Sequence, residues 1–475
     1  MSTLSQHPIY IDGSGNSARI TALALASAGL PVALHAPARA SAKPTSAKSA
    51  STNSKGDIAA WQRVLALSPS SRNMLEVLGV WSVMAQPSSP ITAPIIDMHV
   101  YGATDAAQHI LPPHLNFADP TDDAPNEAAN DRSKAARLDA PLGHIVSLDL
   151  LSAAIDARLS TQDGIDFLPA PIADFDPSDG AVRLADETPA TGTPGEGGRT
   201  AAILVDTQSA TAADFDTRDW RAEQNRRALR NDYQASAVVA CLKSARPHGQ
   251  MAQQIFLPDG PLALLPLPQP DRVALVWTLP NRRAEALVAA ANRDAGVLAH
   301  ELRNATQERF GALQLCGAAA SQPLTLYLAE AFNPAPHCVV LGEAAHIIHP
   351  LAGQGFNLTL RDAAQLTDTL FEARRLGLAL SDATALRDYA VRRQSAARAM
   401  VAATHGLSGL FGTDTMARRN LAALARSGLA GLQALAQRRP TLRQGLRRAA
   451  NGEAMTPNAI SGGSKLPPYL RGENY

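Results

Sequence analysis

Two glycine-bearing segments hold the residues whose types and spacing could do chemistry. Gly13-Ser14-Gly15-Asn16-Ser17-Ala18 follows the β-prone run Ile9-Tyr10-Ile11. Glycines at the first and third places, with Ala18 at the sixth, leave a backbone bare enough to approach a diphosphate. The helix that follows would offer unpaired N–H groups and the positive end of its dipole. Further on, Val339-Val340-Leu341 runs into Gly342-Glu343-Ala344-Ala345-His346, and then past Pro350 into Gly353-Gln354-Gly355-Phe356-Asn357. There a strand end delivers the Glu343 carboxylate to where sugar-like hydroxyls could be held. Pro350 and the two glycines make a bare wall, and a helix starting near Phe356 aims its dipole at the same place. A turn of no special function is the alternative for the first segment.

These groups need a scaffold. The strand, the glycine turn, a helix over Arg19–Ala28 stopped at Gly29, and a second strand over Val32–Leu34 make a βαβ opening. An acidic residue for ribose hydroxyls is expected roughly 20 residues after the turn, and His35 stands there instead. Helices are expected over Ser70–Leu78 and Leu148–Leu159, and a strand over Pro94–Val100. Strand-like runs at Ala235–Leu242, Met251–Leu257, Leu262–Leu267 and Val273–Thr278 suit an antiparallel sheet. Residues 38–56, 103–136 and 186–199 have loop compositions, and the C-terminal third is helical.

Bulk properties narrow the function classes. A chain of 475 residues suggests two or three domains. Lys+Arg and Asp+Glu are both 43, so no global field marks a nucleic-acid binder. Cys241, Cys316 and Cys338 match no disulfide or zinc spacing, which suits a reducing compartment. His346 and His349 lack a third ligand nearby, so no metal is expected. Without a signal pattern or a long apolar run, a cytoplasmic protein is expected.

The segment Gly342–Asn357 resembles the second FAD motif of the para-hydroxybenzoate-hydroxylase-like flavoproteins: Gly-Asp-Ala-Ala-His, then Pro, then Gly-Gln-Gly-x-Asn. Arg63–Ser68, Ser71-Arg72, Leu75–Trp81, Asp232–Ala237, Phe256–Leu267, Val276–Pro280 and Leu466–Gly472 are similar to the ubiquinone-biosynthesis branch of that family. Two positions depart from the pattern. Glu343 replaces the usual Asp, and Asp206 is followed by Thr207 where the family has glycine, with no arginine at the usual place beyond it.

The resemblance implies an α/β fold: a Rossmann-like FAD-binding domain, an interleaved, mostly antiparallel β-sheet substrate domain and a helical C-terminus. The FAD-binding parts would be 1–93 (with the insertion 38–56), 137–230 and 331–400. The substrate domain would be 94–136 and 231–330, and 401–475 a helical region. FAD would be held by Gly13, Gly15, Ala18, His35, Arg63, Asp206, Gly342, Glu343, Ala344, His346, Pro350, Gly353, Gln354, Gly355 and Asn357. NAD(P)H would be the reductant and a polyprenylated phenol or quinone the substrate, hydroxylated on its ring with O2. No catalytic acid or base is implied. Residues 418–448 hold eight arginines and no acid, with leucines on one helical face. That stretch could rest on the inner membrane surface, bind quinone-biosynthesis proteins, or pack as an ordinary helix. The alternatives are a degenerate family member acting as a scaffold, and a hydroxylase of another aromatic compound.

Overall fold

The computed structural model describes residues 7–35, 61, 63–84, 92–102, 115–116, 141–187, 199–208, 220–307, 310–350 and 353–411. The chain opens with β1 (Ile9–Asp12), α1 (Asn16–Ser27), β2 (Val32–Leu34), β3 (Val64–Leu67), α2 (Pro69–Val77) and α3 (Val80–Met84). There follow β4 (Thr92–Ile95), β5 (Asp97–Gly102), β6 (Leu115–Asn116), β7 (Gly143–Ser147), α4 (Leu148–Leu159) and β8 (Ile165–Phe167). Next come β9 (Ile172–Phe175), β10 (Ala181–Leu184), β11 (Arg199–Thr200), β12 (Ile203–Asp206), α5 (Trp220–Arg227) and β13 (Leu229–Ser244). Then β14 (Met251–Leu257), β15 (Gly260–Pro266), β16 (Arg272–Pro280), α6 (Asn281–Arg293), α7 (Ala295–Thr306) and β17 (Leu313–Leu328). The last are β18 (Cys338–Val340), a 3-10 turn (Gly342–Ala344), β19 (His346–Ile347), α8 (Gln354–Arg375) and α9 (Ala383–Phe411).

One sheet is parallel, in the order β18-β12-β1-β2-β8. Its central strands are buried on both faces, which is why they read as unbroken apolar runs. α1 is buried from Ala18 to Ala26, so it is apolar nearly all round. Ile9, Ile11, Leu23 and Leu25 are fully buried, each stabilising the fold by about 1.5–3 kcal/mol.

The second sheet has eight strands in the order β19-β17-β13-β16-β15-β14-β5-β6. It is antiparallel except where β5 runs parallel to β14. α6 and α7 cover one face through Leu287, Leu298 and Leu302 against Trp277 and Val238. The other face meets the small antiparallel sheet β3-β7-β4, where Ile95 and Ile145 pack with Cys241, Ala252 and Ala274.

The single strand expected over Pro94–Val100 is two. The chain breaks at exposed Ile96, whose N–H bonds Gln250 O, so β4 joins the small sheet and β5 the large one. The insertion 38–56 and the basic stretch 418–448 lie outside the described residues. Among the described residues no helix is long and apolar enough to cross a membrane.

Candidate functional site

The chain moves out from β1 to β2 on one side and to β12 on the other, so the C-terminal ends of β1 and β12 form the topological switch point of the parallel sheet, where such sheets open a ligand crevice. Gly13 lies there with φ +132, and a Cβ on it would come within 2.2 Å of Thr207 Oγ1. Thr207 donates both its N–H and its hydroxyl to Asp12 O at 2.9 Å. The threonine that stands in place of the family's glycine therefore packs on Gly13 and ties β12 to β1. Gly15 is the N-cap of α1 and makes no side-chain capping bond. A Cβ on Gly15 would meet nothing within 4 Å. The start of α1 is thus open on the Cβ side of Gly15 and free of a side-chain cap, as close approach by a diphosphate requires.

The second glycine segment reaches the same crevice. Gly342, at φ +62, lies so close to α1 that a Cβ would stand 2.9 Å from Ser17 Cβ. Leu341 N–H bonds Asp206 O at 2.9 Å. Glu343 is exposed, while Ala344 and Ala18 are buried. Gly353, at φ +63, caps α8 without a side-chain bond, and its N–H closes a turn on Pro350 O. A Cβ on Gly355 would meet nothing within 4 Å. Gln354 is the first residue of α8, two places before the expected start.

Asn357 is fully buried, and its side chain serves the scaffold. Its Oδ1 accepts from Ser68 N at 2.9 Å, and its Nδ2 donates to Ala66 O at 2.7 Å. His346 Nε2 lies 2.6 Å from Asp362 Oδ2, and Arg393 Nε lies 2.6 Å from Asp362 Oδ1, all within the core. Burial works against the Asp362 charge, but Arg393 and His346 outweigh it and hold the carboxyl below its ordinary range. His349 is buried against Tyr233 with ring centroids 5.1 Å apart. That contact joins the flavin-type motif to β13. His35 sits at the end of β2, with Nδ1 3.1 Å from Leu168 O. Arg63 is exposed and paired with Asp149 at 2.7 Å.

Two residues that spacing did not single out lie at the centre of the crevice. Asp12, the last residue of β1, is buried beside Asp206. Arg221 of α5 joins them, with Nη2 2.5 Å from Asp12 Oδ2 and Nε 2.8 Å from Asp206 Oδ2. Gln208 Nε2 donates to Asp12 Oδ1 at 2.7 Å. Burial, then the Asp206 charge, pushes the Asp12 carboxyl up to about 6, against the pull of Arg221 and Gln208. No arginine follows Asp206 at the usual place, and Asp206 is instead paired with Arg221 of α5. No short motif reports it, although two acids ending neighbouring parallel strands call for a cation.

Two uncapped helix N-termini, two glycines open to space and a paired glycine turn fit FAD, whose diphosphate and ring both need close backbone approach. Comparison with known proteins agrees. The family model described as "FAD binding domain" matches residues 220–404. The chain is 34% identical over 201 residues to ubiquinone hydroxylase UbiL of Rhodospirillum rubrum, covering 41% of this chain and 46% of that protein. It is 35% identical over 163 residues to 3-demethoxyubiquinol 3-hydroxylase of Escherichia coli, covering 34% of this chain and 40% of that protein. The matches therefore span less than half the length of these curated relatives. Among solved structures, p-nitrophenol 4-monooxygenase PnpA from Pseudomonas putida DLL-E4 superposes with a TM-score of 0.63 at 13% identity, over 94% of this chain and 98% of that one.

The fold is the one seen in p-nitrophenol 4-monooxygenase PnpA, and residues 220–404 match an FAD binding domain. Within the matched stretches, the sequence is similar to FAD-dependent hydroxylases of ubiquinone biosynthesis.

Proposed function

We propose that this protein hydroxylates the aromatic ring of a polyprenylated ubiquinone precursor, using FAD, NAD(P)H and O2. The observation that carries the reading is the meeting of Gly342 with Ser17, which sets the uncapped starts of α1 and α8 around one crevice. FAD, reduced by NAD(P)H, supplies the oxygen activation when bound. The chain supplies position and environment. Backbone N–H groups after Gly15 would hold the diphosphate, and the exposed Glu343 would offer its carboxylate to a flavin-chain hydroxyl. The start of α8, capped by Gly353 without a side-chain bond, would favour negative charge on a bound flavin. The Tyr233–His349 contact fixes the large sheet against the cofactor domain. The apolar layer of Trp61, Ile95, Ile145 and Leu267 excludes water between the sheets. In this account 231–330 forms the substrate domain and 418–448 docks on an anionic membrane surface.

The test is NAD(P)H oxidation by the FAD-loaded chain with a prenylated phenol, followed by mass spectrometry. Substrate-stimulated oxidation with one oxygen added to the ring supports the reading. Oxidation that gives only hydrogen peroxide, with every prenylated phenol offered, counts against it. One observation favours a second reading, that of a non-catalytic scaffold: Arg221 is already neutralised by Asp12 and Asp206 in the crevice. Failure to bind FAD at all would select it.

A further inference from the structure

Cys241 and Cys316 are far apart in sequence but directly opposed in the large sheet. The register of β13 on β17 pairs Cys241 with Cys316, next to the pair Leu242–Leu315. The ladder shifts register beside them, between Val239 and Cys241, and Gly317, the next residue of β17, has φ +81. Directly opposed residues of antiparallel strands have Cα atoms about 4.5–5.5 Å apart and side chains on one face. That separation lies within the span of a disulfide. Both side chains belong to the apolar layer facing the small sheet; Cys241 is buried and Cys316 half-buried. Cys338 belongs to a different core cluster, at β18.

We infer that Cys241 and Cys316 form a reversible dithiol–disulfide couple across β13 and β17, with hydrogen peroxide as its oxidant. The couple depends on sheet register and stands apart from the hydroxylase reading. Cys316 is the more accessible thiol and reacts first, whereas burial pushes the Cys241 thiol up to about 11. Cys316 sulfur, as thiolate, attacks one peroxide oxygen. An S–O bond forms, the O–O bond breaks, and hydroxide leaves and takes up the thiol proton as water. Cys241 sulfur then attacks the sulfenic sulfur. An S–S bond forms, the S–O bond breaks, and the second hydroxide leaves as water with the Cys241 proton. Two thiols lose two electrons to one peroxide, which yields two waters. The bridge would join the two 16-residue strands of the sheet at their register shift.

The test uses the full chain, reduced and then treated with hydrogen peroxide. Remaining thiols are alkylated in denaturant and the peptides mapped. The expected result is a linked Cys241–Cys316 peptide lighter by about 2 Da for the two lost hydrogens, an alkylated Cys338, and complete reversal by dithiothreitol. Cys316 oxidised to sulfinic acid beside an alkylatable Cys241 overturns the inference, as do two thiols that stay alkylatable throughout. In Cys241→Ser the Cys316 sulfenic acid should accumulate and be trapped by dimedone several-fold more than in wild type. Equal trapping in both proteins also overturns it.

Discussion

Arg221 Nε lies 2.8 Å from Asp206 Oδ2, joining the end of β12 to α5 across fifteen residues of sequence. The same guanidinium reaches Asp12, so one cation serves two buried carboxylates. Removing it leaves both uncompensated. Arg221→Met should lose about 3–5 kcal/mol of unfolding free energy. Adding Asp12→Asn to that variant should recover part of the loss. Urea denaturation of wild type, the two single variants and the double variant, as a double-mutant cycle, measures the coupling. Losses that simply add would show that the three groups do not act together.

Asp12 should make stability rise on mild acidification. Its carboxyl goes from the ordinary 3.8 to about 6, first through burial and then through Asp206. A raised carboxyl binds its proton more tightly in the folded state. Its contribution is therefore complete below 3.8 and is lost as pH rises through 6. Relative to Asp12→Asn, wild type should lose about 3 kcal/mol between pH 4 and pH 7. Urea midpoints of both proteins across that range give the difference. A constant gap would contradict it.

His144 should act in the opposite sense. Burial, then Arg72, pushes its imidazole from 6.5 down to about 4, and it packs edge-on against Trp81 at 5.1 Å. A depressed imidazole stays neutral in the fold. Its contribution is present above 6.5 and lost as pH falls through 4. Against a His144→Leu reference, wild type should weaken by up to about 3 kcal/mol between pH 7 and pH 4. Thermal melts at several pH values provide the comparison, and parallel pH profiles would remove His144 as the cause.

Asp362 holds both His346 and Arg393 at 2.6 Å in the core. Asp362→Asn should cost about 3–5 kcal/mol, because it leaves a buried guanidinium without its counterion. Asp362→Leu combined with Arg393→Met should cost less than Asp362→Asn alone. A double variant less stable than the single one would refute this account of the core.

Much of the scaffold was legible because period and punctuation are local. Val32–Leu34 and Leu148–Leu159 form the expected elements within their expected limits. The glycine turns were legible because bare backbone has few other uses at that spacing. β17 was not foreseen. Its Gly-, Ala- and Pro-bearing stretch is held extended by pairing along β13, which is a long-range effect. The Asp12–Arg221 pair was hidden for the same reason, since only the parallel register of β1 and β12 puts Asp12 opposite Asp206. Asn357 fits a cofactor motif by position, yet its polar atoms are spent on Ala66, Ser68 and Gly353.

The most direct test of the central claim is a titration of the purified, cofactor-free chain with FAD, followed by visible absorption and flavin fluorescence. The crevice formed by the starts of α1 and α8 predicts saturable uptake at one FAD per chain, with perturbed flavin bands. Gly15→Val should weaken that uptake at least tenfold, because its side chain would fill the open space at the diphosphate position. Well-folded protein that leaves the FAD spectrum unchanged at every concentration would contradict the account.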